Sequence, residues 1–460
     1  MPPISTLEEA ASYLEGLINN ERLPQFQYAR LGLGPIRRLL RRLGNPEREL
    51  SVLHVAGSKG KGSTALFAES LLTALGERVG TFTSPHLVRW TERFRLDGRE
   101  VEGSLLASCV DRVRPHVDAL RREDPKDAPT FFDATTAAGL LLFAEAGVDR
   151  AIIEVGIGGR LDSTNVVAPA VCCITSIELE HTDKLGETLG EIAGEKAGIV
   201  KAGVPCVTGR LPDEAAAVVA ARCSQAEAPL LRLGREFSVE LDPEASGDTW
   251  TRVRYREPDG FGFETALSVP GLHQADNAAV AAAAVRRLGA HDDAALAGAA
   301  EKGLARTRLP GRVEVLERRP WVVVDSAHTA ASARALADTV ARFPARRRHW
   351  VLSVSIGKDL DAILRALLAG AASVTVTRAE PSRSLDPGKV AAAIRVAAPD
   401  VPARVVPNPQ LAVRAAREAL EDEDLLCVAG SFYLAGIARS MLSEAAGRPV
   451  GVSRRGGRGA

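Results

Sequence analysis

Apolar residues recur along the chain in two rhythms. In "TLEEAASYLEGLI" and "LGPIRRLLRRLG" they fall at helical spacing, the second stretch placing Ile36, Leu39, Leu40 and Leu43 on one face. "LSVLHVAG" breaks that rhythm with a short continuous apolar run, which predicts a buried strand. "STALFAESLLTALG" returns to a helix, with Leu66, Phe67, Leu71 and Leu75 facing inward. "RVGTFTS", "RAIIEVG", "AVCCITSI" and "VPCVTG" are further strands, mostly interleaved with helical runs such as "ATTAAGLLLFAEAG". Continuous apolar strands alternating with amphipathic helices predict an α/β fold with a mostly parallel sheet covered on both faces.

From about residue 235 to 270 the pattern turns polar and β-rich ("FSVELDPEASGDTWTRVRYREPDGFGFETALSV"), as in an antiparallel insertion or edge. The alanine-rich helix "QADNAAVAAAAVRRLGA" follows, and then Pro310-Gly311 breaks the chain. Beyond it βα alternation restarts in "PWVVVDSAHT", "HWVLSVS", "ASVTVTRA" and "DLLCVAGS". This places a boundary near residue 308, with an N-terminal domain over 1–307 and a smaller α/β domain over 308–445. The Gly/Arg-rich end, 446–460, has no core former and is expected to be a disordered tail.

A chain of 460 residues is too long for one core, consistent with two domains. Its 58 basic and 58 acidic residues balance, so no global field draws it to nucleic acid or anionic lipid. The six cysteines form no CxxC pair, and Cys172-Cys173 lies in an apolar run, where a thiol acts as a small hydrophobe. That points to a reducing compartment and no zinc site. "MPPISTLEEAASYLEGL" lacks the basic and apolar regions of a signal peptide, and no stretch is long and apolar enough for a membrane span. The expected location is the cytoplasm.

Candidate chemistry begins in "VAGSKGKGST", residues 55–64. A glycine-rich turn between a strand and a helix cradles phosphate through successive backbone N–H groups and the helix N-terminus. The spelling differs from GxxxxGK[ST]: only Ser58 and Lys59 separate Gly57 from Gly60-Lys61, and Gly62 precedes Ser63. In such a cradle Lys61 would lie on the β- and γ-phosphates, and Ser63 or Thr64 would reach a magnesium ion. Lys59 is either a second phosphate contact or a solvated side chain.

In "IIEVGIGGRLDSTN", Glu154 closes an apolar strand, where open α/β sheets bind ligands and a carboxylate can hold Mg²⁺. Gly156, Gly158 and Gly159 do not spell a dinucleotide fingerprint. "SIELEHTDKLGETLGEIAGEKAGIVK" sets Glu178, Glu180, His181 and Asp183 just past a strand. Taken alone, His181 and Lys196 read as ordinary polar residues, since Mg²⁺ prefers oxygen. Arg312 could meet phosphate and Asp325 ribose hydroxyls, with a surface arginine and a helix cap as the plainer readings.

The order of the pieces carries more than any one of them. "HVAGSKGKGST", "TSPHL" with "ERFR", "IEVGIGGRLDSTN", "ITSIELEHTDKLGETLGEIAGEKAGI", "PGLHQADNAAVA", "LPGR", "DSAHT" and "GSFYLAG" together resemble the folylpolyglutamate synthase/dihydrofolate synthase family of the Mur ligase superfamily. The resemblance runs from about residue 30 to 440. It implies a Mur-ligase-like P-loop ATPase domain followed by a Rossmann-like C-terminal domain. It also implies an ATP-dependent ligase that adds L-glutamate to dihydropteroate or to reduced folate, acting as a monomer without nucleic acid or membrane.

By the same resemblance Gly57, Ser58, Lys59, Gly60, Lys61, Gly62, Ser63 and Thr64 bind ATP. Ser63, Ser84, Glu154 and His181 surround two magnesium sites. Lys196 matches a lysine that is carbamylated in such ligases and then holds the second metal. Asn277 and Arg312 match nucleotide and phosphate contacts, and Asp325 with His328 match residues closing over ATP. Lys61, Glu154, His181 and Lys196 are the catalytic set so implied. The chain departs from the family pattern at Ser58-Lys59 (often Asn or Thr-Asn), Glu180 (often Asp) and Ser326 (often Gly). A Mur-type ligase for another carboxylate and amine, or a nucleotide-binding module without catalysis, are the rival readings.

Overall fold

The structure, a computed structural model, describes residues 2–19, 32–289 and 291–445. The tail expected over 446–460 lies outside the described residues. The described chain divides into two compact units. One is drawn from the described residues up to Ser246, with Thr251–Ser268 and those of 272–308, the other from Gly247–Trp250, Val269–Gly271 and the described residues from Leu309 on.

The first unit holds an eight-stranded sheet. Its strands are β1 (Val52–Ala56), β2 (Val79–Phe82), β3 (Phe94–Leu96), β4 (Arg99–Glu100), β5 (Arg150–Glu154), β6 (Pro169–Ile174), β7 (Cys206–Thr208) and β8 (Leu230–Arg232). Their order is β4-β3-β2-β5-β1-β6-β7-β8. β3 and β4 pair antiparallel at one edge, and the other six strands run parallel. Every residue of β1 is buried, as a central parallel strand under helices on both faces requires. The six cysteines are free and buried, among them Cys172 and Cys173 on β6.

The polar stretch folds as a separate three-stranded sheet, β9 (Ser238–Gly247), β10 (Trp250–Arg256) and β11 (Gly262–Leu267), with β10 central and antiparallel to β11. β10 alternates buried and exposed residues, the signature of a sheet with one dry face. The second unit carries β12 (Glu314–Arg318), β13 (Trp321–Val324), β14 (Arg347–Leu352), β15 (Ala371–Val376), β16 (Ala403–Val405) and β17 (Asp424–Ala429), ordered β12-β13-β17-β14-β15-β16. Only β12 is antiparallel in that sheet. Its core gathers Val323, Leu352, Val374, Leu425 and Cys427. Among the described residues no helix is long and apolar enough to cross a membrane.

Candidate active site

The glycine-rich turn leaves the carboxyl end of β1 and runs into the helix Lys61–Ala74, two residues earlier than the sequence pattern predicts. Gly60 is the N-cap, with φ 85°. Glycine is needed there twice over, by its left-handed backbone and by its neighbour. A Cβ on Gly60 would lie 2.2 Å from Oδ1 of Asn277, on the helix Leu272–Arg287. Gly57 has φ 147°, and a Cβ there would sit 1.9 Å from Oγ1 of Thr175. Gly60→Ala is therefore expected to weaken ATP binding about tenfold or more, since a forced left-handed residue costs ~1–3 kcal/mol before the clash is counted. Equilibrium titration with a non-hydrolysable ATP analogue checks it.

The turn is fastened to the segment after β6. Ser58 N–H donates to the Ser176 carbonyl (2.8 Å) and Lys59 N–H to Ser176 Oγ (2.9 Å). Thr175 Oγ1 donates to the Lys59 carbonyl (2.5 Å), and Ser58 Oγ accepts from Glu178 N–H (2.9 Å). Lys61 and Lys196 both donate to the Gly57 carbonyl at 3.0 Å. Apart from Lys61, none of these partners is near the turn in sequence, so no local signal could have pointed to Thr175 or Ser176.

Around the Gly57 carbonyl stands a buried group of charges. Glu180 divides its carboxylate between Lys196 (3.1 Å) and Lys59 (3.2 Å). Burial opposes its charge, but Lys196, Lys59, Lys61 and His181 outweigh that and hold the carboxyl well below its usual range. Lys196, on the helix Leu189–Ala197, is only 1% exposed. Burial lowers its pKa to about 8, against the pull of Glu180 and with the push of Lys61 and Lys59. Three lysines against one carboxylate leave this pocket cationic. Lys59, left open by the sequence, reaches Glu180. His181 is exposed, with φ 47° at the head of the short helix Thr182–Leu185, and adds to the field on Glu180.

Glu154 ends β5, 5% exposed, beside the head of the glycine-loop helix. Its Oε2 accepts Ser84 N–H (3.0 Å), and a Cβ on Gly62 would lie 3.4 Å from it. Gly62, Ser84 and Glu154 therefore converge from three elements. Ser63 and Thr64 are buried in the first turn of the helix, and Thr64 Oγ1 donates to the Asn277 carbonyl (3.5 Å). The loop after Glu154 is braced from behind. Asp162 accepts Ile157 N–H (2.9 Å) and the Thr164 hydroxyl (2.5 Å), and Thr164 Oγ1 lies 2.9 Å from His54 Nε2. Burial pushes His54 down to about 3, so the ring is neutral. Asn165 donates to the carbonyls of Arg160 (3.0 Å) and Gly198 (3.3 Å), tying this loop to the end of the Lys196 helix.

Oxygen donors of this kind fit magnesium. A carboxylate, hydroxyls and phosphate oxygens suit a hard ion that keeps several waters. Among the described residues no three His, Cys, Asp or Glu side chains form a metal cage by themselves. A bound ion would therefore draw most of its ligands from phosphate and water.

In the second unit Asp325 follows β13 and is 6% exposed. Its Oδ2 accepts Val313 N–H (2.7 Å) and its Oδ1 Ala327 N–H (2.6 Å). Burial raises its pKa, with Arg312 pulling the other way. The Arg312 guanidinium donates to the Gly311 carbonyl (3.1 Å) and to Ser326 Oγ. His328 Nδ1 lies 2.8 Å from the Ser326 carbonyl, which makes Nδ1 the protonated nitrogen. The backbone role of Asp325 was not visible in the sequence, nor were Glu314 and Arg439, described below.

Residues 55–285 match the Mur ligase middle domain, and residues 311–432 match the Mur ligase, glutamate ligase domain. The dihydrofolate synthase/folylpolyglutamate synthase of Bacillus subtilis is 37% identical over 341 residues, which are 73% of this chain and 78% of that protein. A probable bifunctional folylpolyglutamate synthase/dihydropteroate synthase of Halobacterium salinarum is 37% identical over 87% of this chain. There the chain spans only 48% of the relative's length. Among solved structures, Mycobacterium tuberculosis folylpolyglutamate synthase complexed with ADP superposes with a TM-score of 0.85 and 32% identity, covering 95% of this chain and 98% of that one.

Proposed function

Because the chain belongs to the folylpolyglutamate synthase/dihydrofolate synthase family of Mur ligases, we propose that it is an ATP-dependent ligase that forms an amide to L-glutamate. Its carboxylate substrate would be dihydropteroate, the glutamate tail of a reduced folate, or both. The observation that carries this reading is the cationic turn at the head of a helix: Lys61 and Lys196 on the Gly57 carbonyl, with Lys59 beside them on Glu180. A relative of known structure is complexed with ADP, and we assign ATP to the glycine-rich turn of this chain.

The substrate carboxylate attacks the γ-phosphate and ADP leaves, giving an acyl phosphate. The amine of glutamate then adds to the acyl carbon, phosphate leaves and the amide remains. Phosphoryl transfer of this kind needs positioning and neutralisation more than a nucleophilic side chain. Lys61 exchanges the Gly57 carbonyl for phosphate oxygens, and the helix N-terminus faces the same charge. Ser63, Ser84, Glu154 and His181, with carbamylated Lys196, would hold two magnesium ions. Such ions supply neutralisation of the phosphate charge. Asn277, Arg312, Asp325 and His328 are assigned to the nucleotide, and a monomer is the expected state.

The deciding assay measures ADP release with dihydropteroate plus L-glutamate and with tetrahydrofolate plus L-glutamate, followed by the mass of the products. We expect release that depends on both substrates, with a product heavier by one glutamyl residue. Absence of ADP release with either pterin would set aside the folate assignment.

A further inference from the structure

The turn that carries Arg312 is strained. Val313 has φ 44°, a left-handed conformation that β-branched residues avoid, and it is buried. Three hydrogen bonds, two to the segment after β13 and one to β12, keep it there. Asp325, after β13, accepts Val313 N–H at 2.7 Å. Ser326 N–H donates to the Gly311 carbonyl at 3.0 Å. Glu314, the first residue of β12, accepts Gly311 N–H through Oε2 at 2.8 Å. That carboxylate is in turn gripped by Arg439 Nε, at 3.0 Å and 2.9 Å, from the helix Phe432–Ala445.

Arg312 therefore sits between two backbone groups that are each held by a carboxylate. Its guanidinium lies 5.8 Å from the ring centre of Phe432 on the same helix that supplies Arg439. A turn kept only for stability would not place a β-branched residue at positive φ. Strain of this kind persists where surrounding structure over-determines it, and it accumulates where one side chain must be aimed. An arginine meeting phosphate depends on orientation because its donors form a rigid planar fork.

We propose that Glu314 and Arg439 are positioning residues that hold Val313 in its left-handed conformation and so fix the direction in which Arg312 presents its guanidinium to the nucleotide phosphates. This rests on the assignment of Arg312 to the nucleotide made above. Neither residue touches substrate. Glu314 acts on the backbone N–H of Gly311, the residue before Arg312, and Arg439 keeps Glu314 from swinging away.

The test is steady-state kinetics with ATP varied, beside thermal melting, on the full chain. Arg312→Ala reports on the assignment itself and should lower kcat/KM for ATP by about 10- to 100-fold. Glu314→Ala and Arg439→Gln should each lower kcat/KM for ATP about 5- to 20-fold, with the KM for glutamate unchanged. Glu314→Gln, which keeps an acceptor for Gly311 but loses the ion pair, should fall between wild type and Glu314→Ala. Val313→Gly added to Glu314→Ala should recover part of the lost kcat/KM, because glycine takes positive φ without penalty. If Arg312→Ala leaves ATP kinetics intact, the assignment of Arg312 fails and the proposal with it. If Arg312→Ala is impaired but Glu314→Ala and Arg439→Gln keep wild-type kcat/KM for ATP, the assignment stands and the positioning role is overturned. Should Glu314→Ala not fold, Glu314→Gln and Arg439→Gln carry the same comparison.

Discussion

Glu154→Gln is expected to lower turnover about 100- to 1,000-fold while ATP binding stays within about threefold of wild type. The substitution is nearly isosteric, and its carbonyl oxygen can still accept the Ser84 N–H that Glu154 accepts at 3.0 Å. What it removes is one negative charge at the head of the glycine-loop helix, in a place only 5% exposed. Ground-state nucleotide binding draws mainly on backbone N–H groups and lysines, which the change leaves alone. The reacting phosphoryl group depends on charges placed before the reaction begins. Measuring ADP release beside equilibrium binding of a non-hydrolysable analogue separates the two. Wild-type turnover would remove Glu154 from the site.

Lys196→Ala is expected to reduce activity at least as much, and short carboxylates such as formate or acetate should restore part of it. Carbamylation requires the neutral amine: Nζ attacks CO2, an N–C bond forms, and a proton leaves to water. With its pKa lowered to about 8 by burial, far more of Lys196 is neutral near pH 7.5 than of an ordinary lysine. Wild-type activity in bicarbonate should therefore climb as pH rises toward 8 and flatten above it. The uncarbamylated chain should also gain stability as pH passes from about 8 toward the ordinary lysine value, because the unfolded chain holds the extra proton over that range. Intact mass spectrometry under CO2 should show one added CO2 on wild type and none on Lys196→Ala. No adduct on wild type, together with no rescue, would exclude the carbamate.

Much of the fold was readable because burial leaves its mark on composition. β1, buried throughout, shows as a continuous apolar run, and β10, buried on one face, shows as strict alternation. Less readable was anything decided by neighbours in space. The order β2-β5-β1-β6 interleaves strands far apart in sequence, and nothing local specifies it. The polar run after β6 contains two helices, the second opened by a capping box of Thr188 and Glu191, and the apolar pattern alone marked neither. Lys61 and Glu154 stood out by residue type and position, and Lys196 by family resemblance alone. Glu180 was visible as part of a polar cluster, but its sharing between a lysine 16 residues away and another 121 residues away was not, because an ion pair across such separations has no periodicity.

The fastening of the glycine-rich turn to Thr175, Ser176 and Glu178 bears on how binding free energy is used. A flexible phosphate loop must be ordered by its ligand, at about 1–2 kcal/mol of conformational entropy for each residue immobilised. Here Ser58 and Lys59 are tied to the sheet by bonds made when the chain folds. Arriving phosphate then meets a turn already set, and the entropy of those residues has been surrendered in folding rather than at each turnover. More of the interaction with the triphosphate is left to act on the reacting group itself.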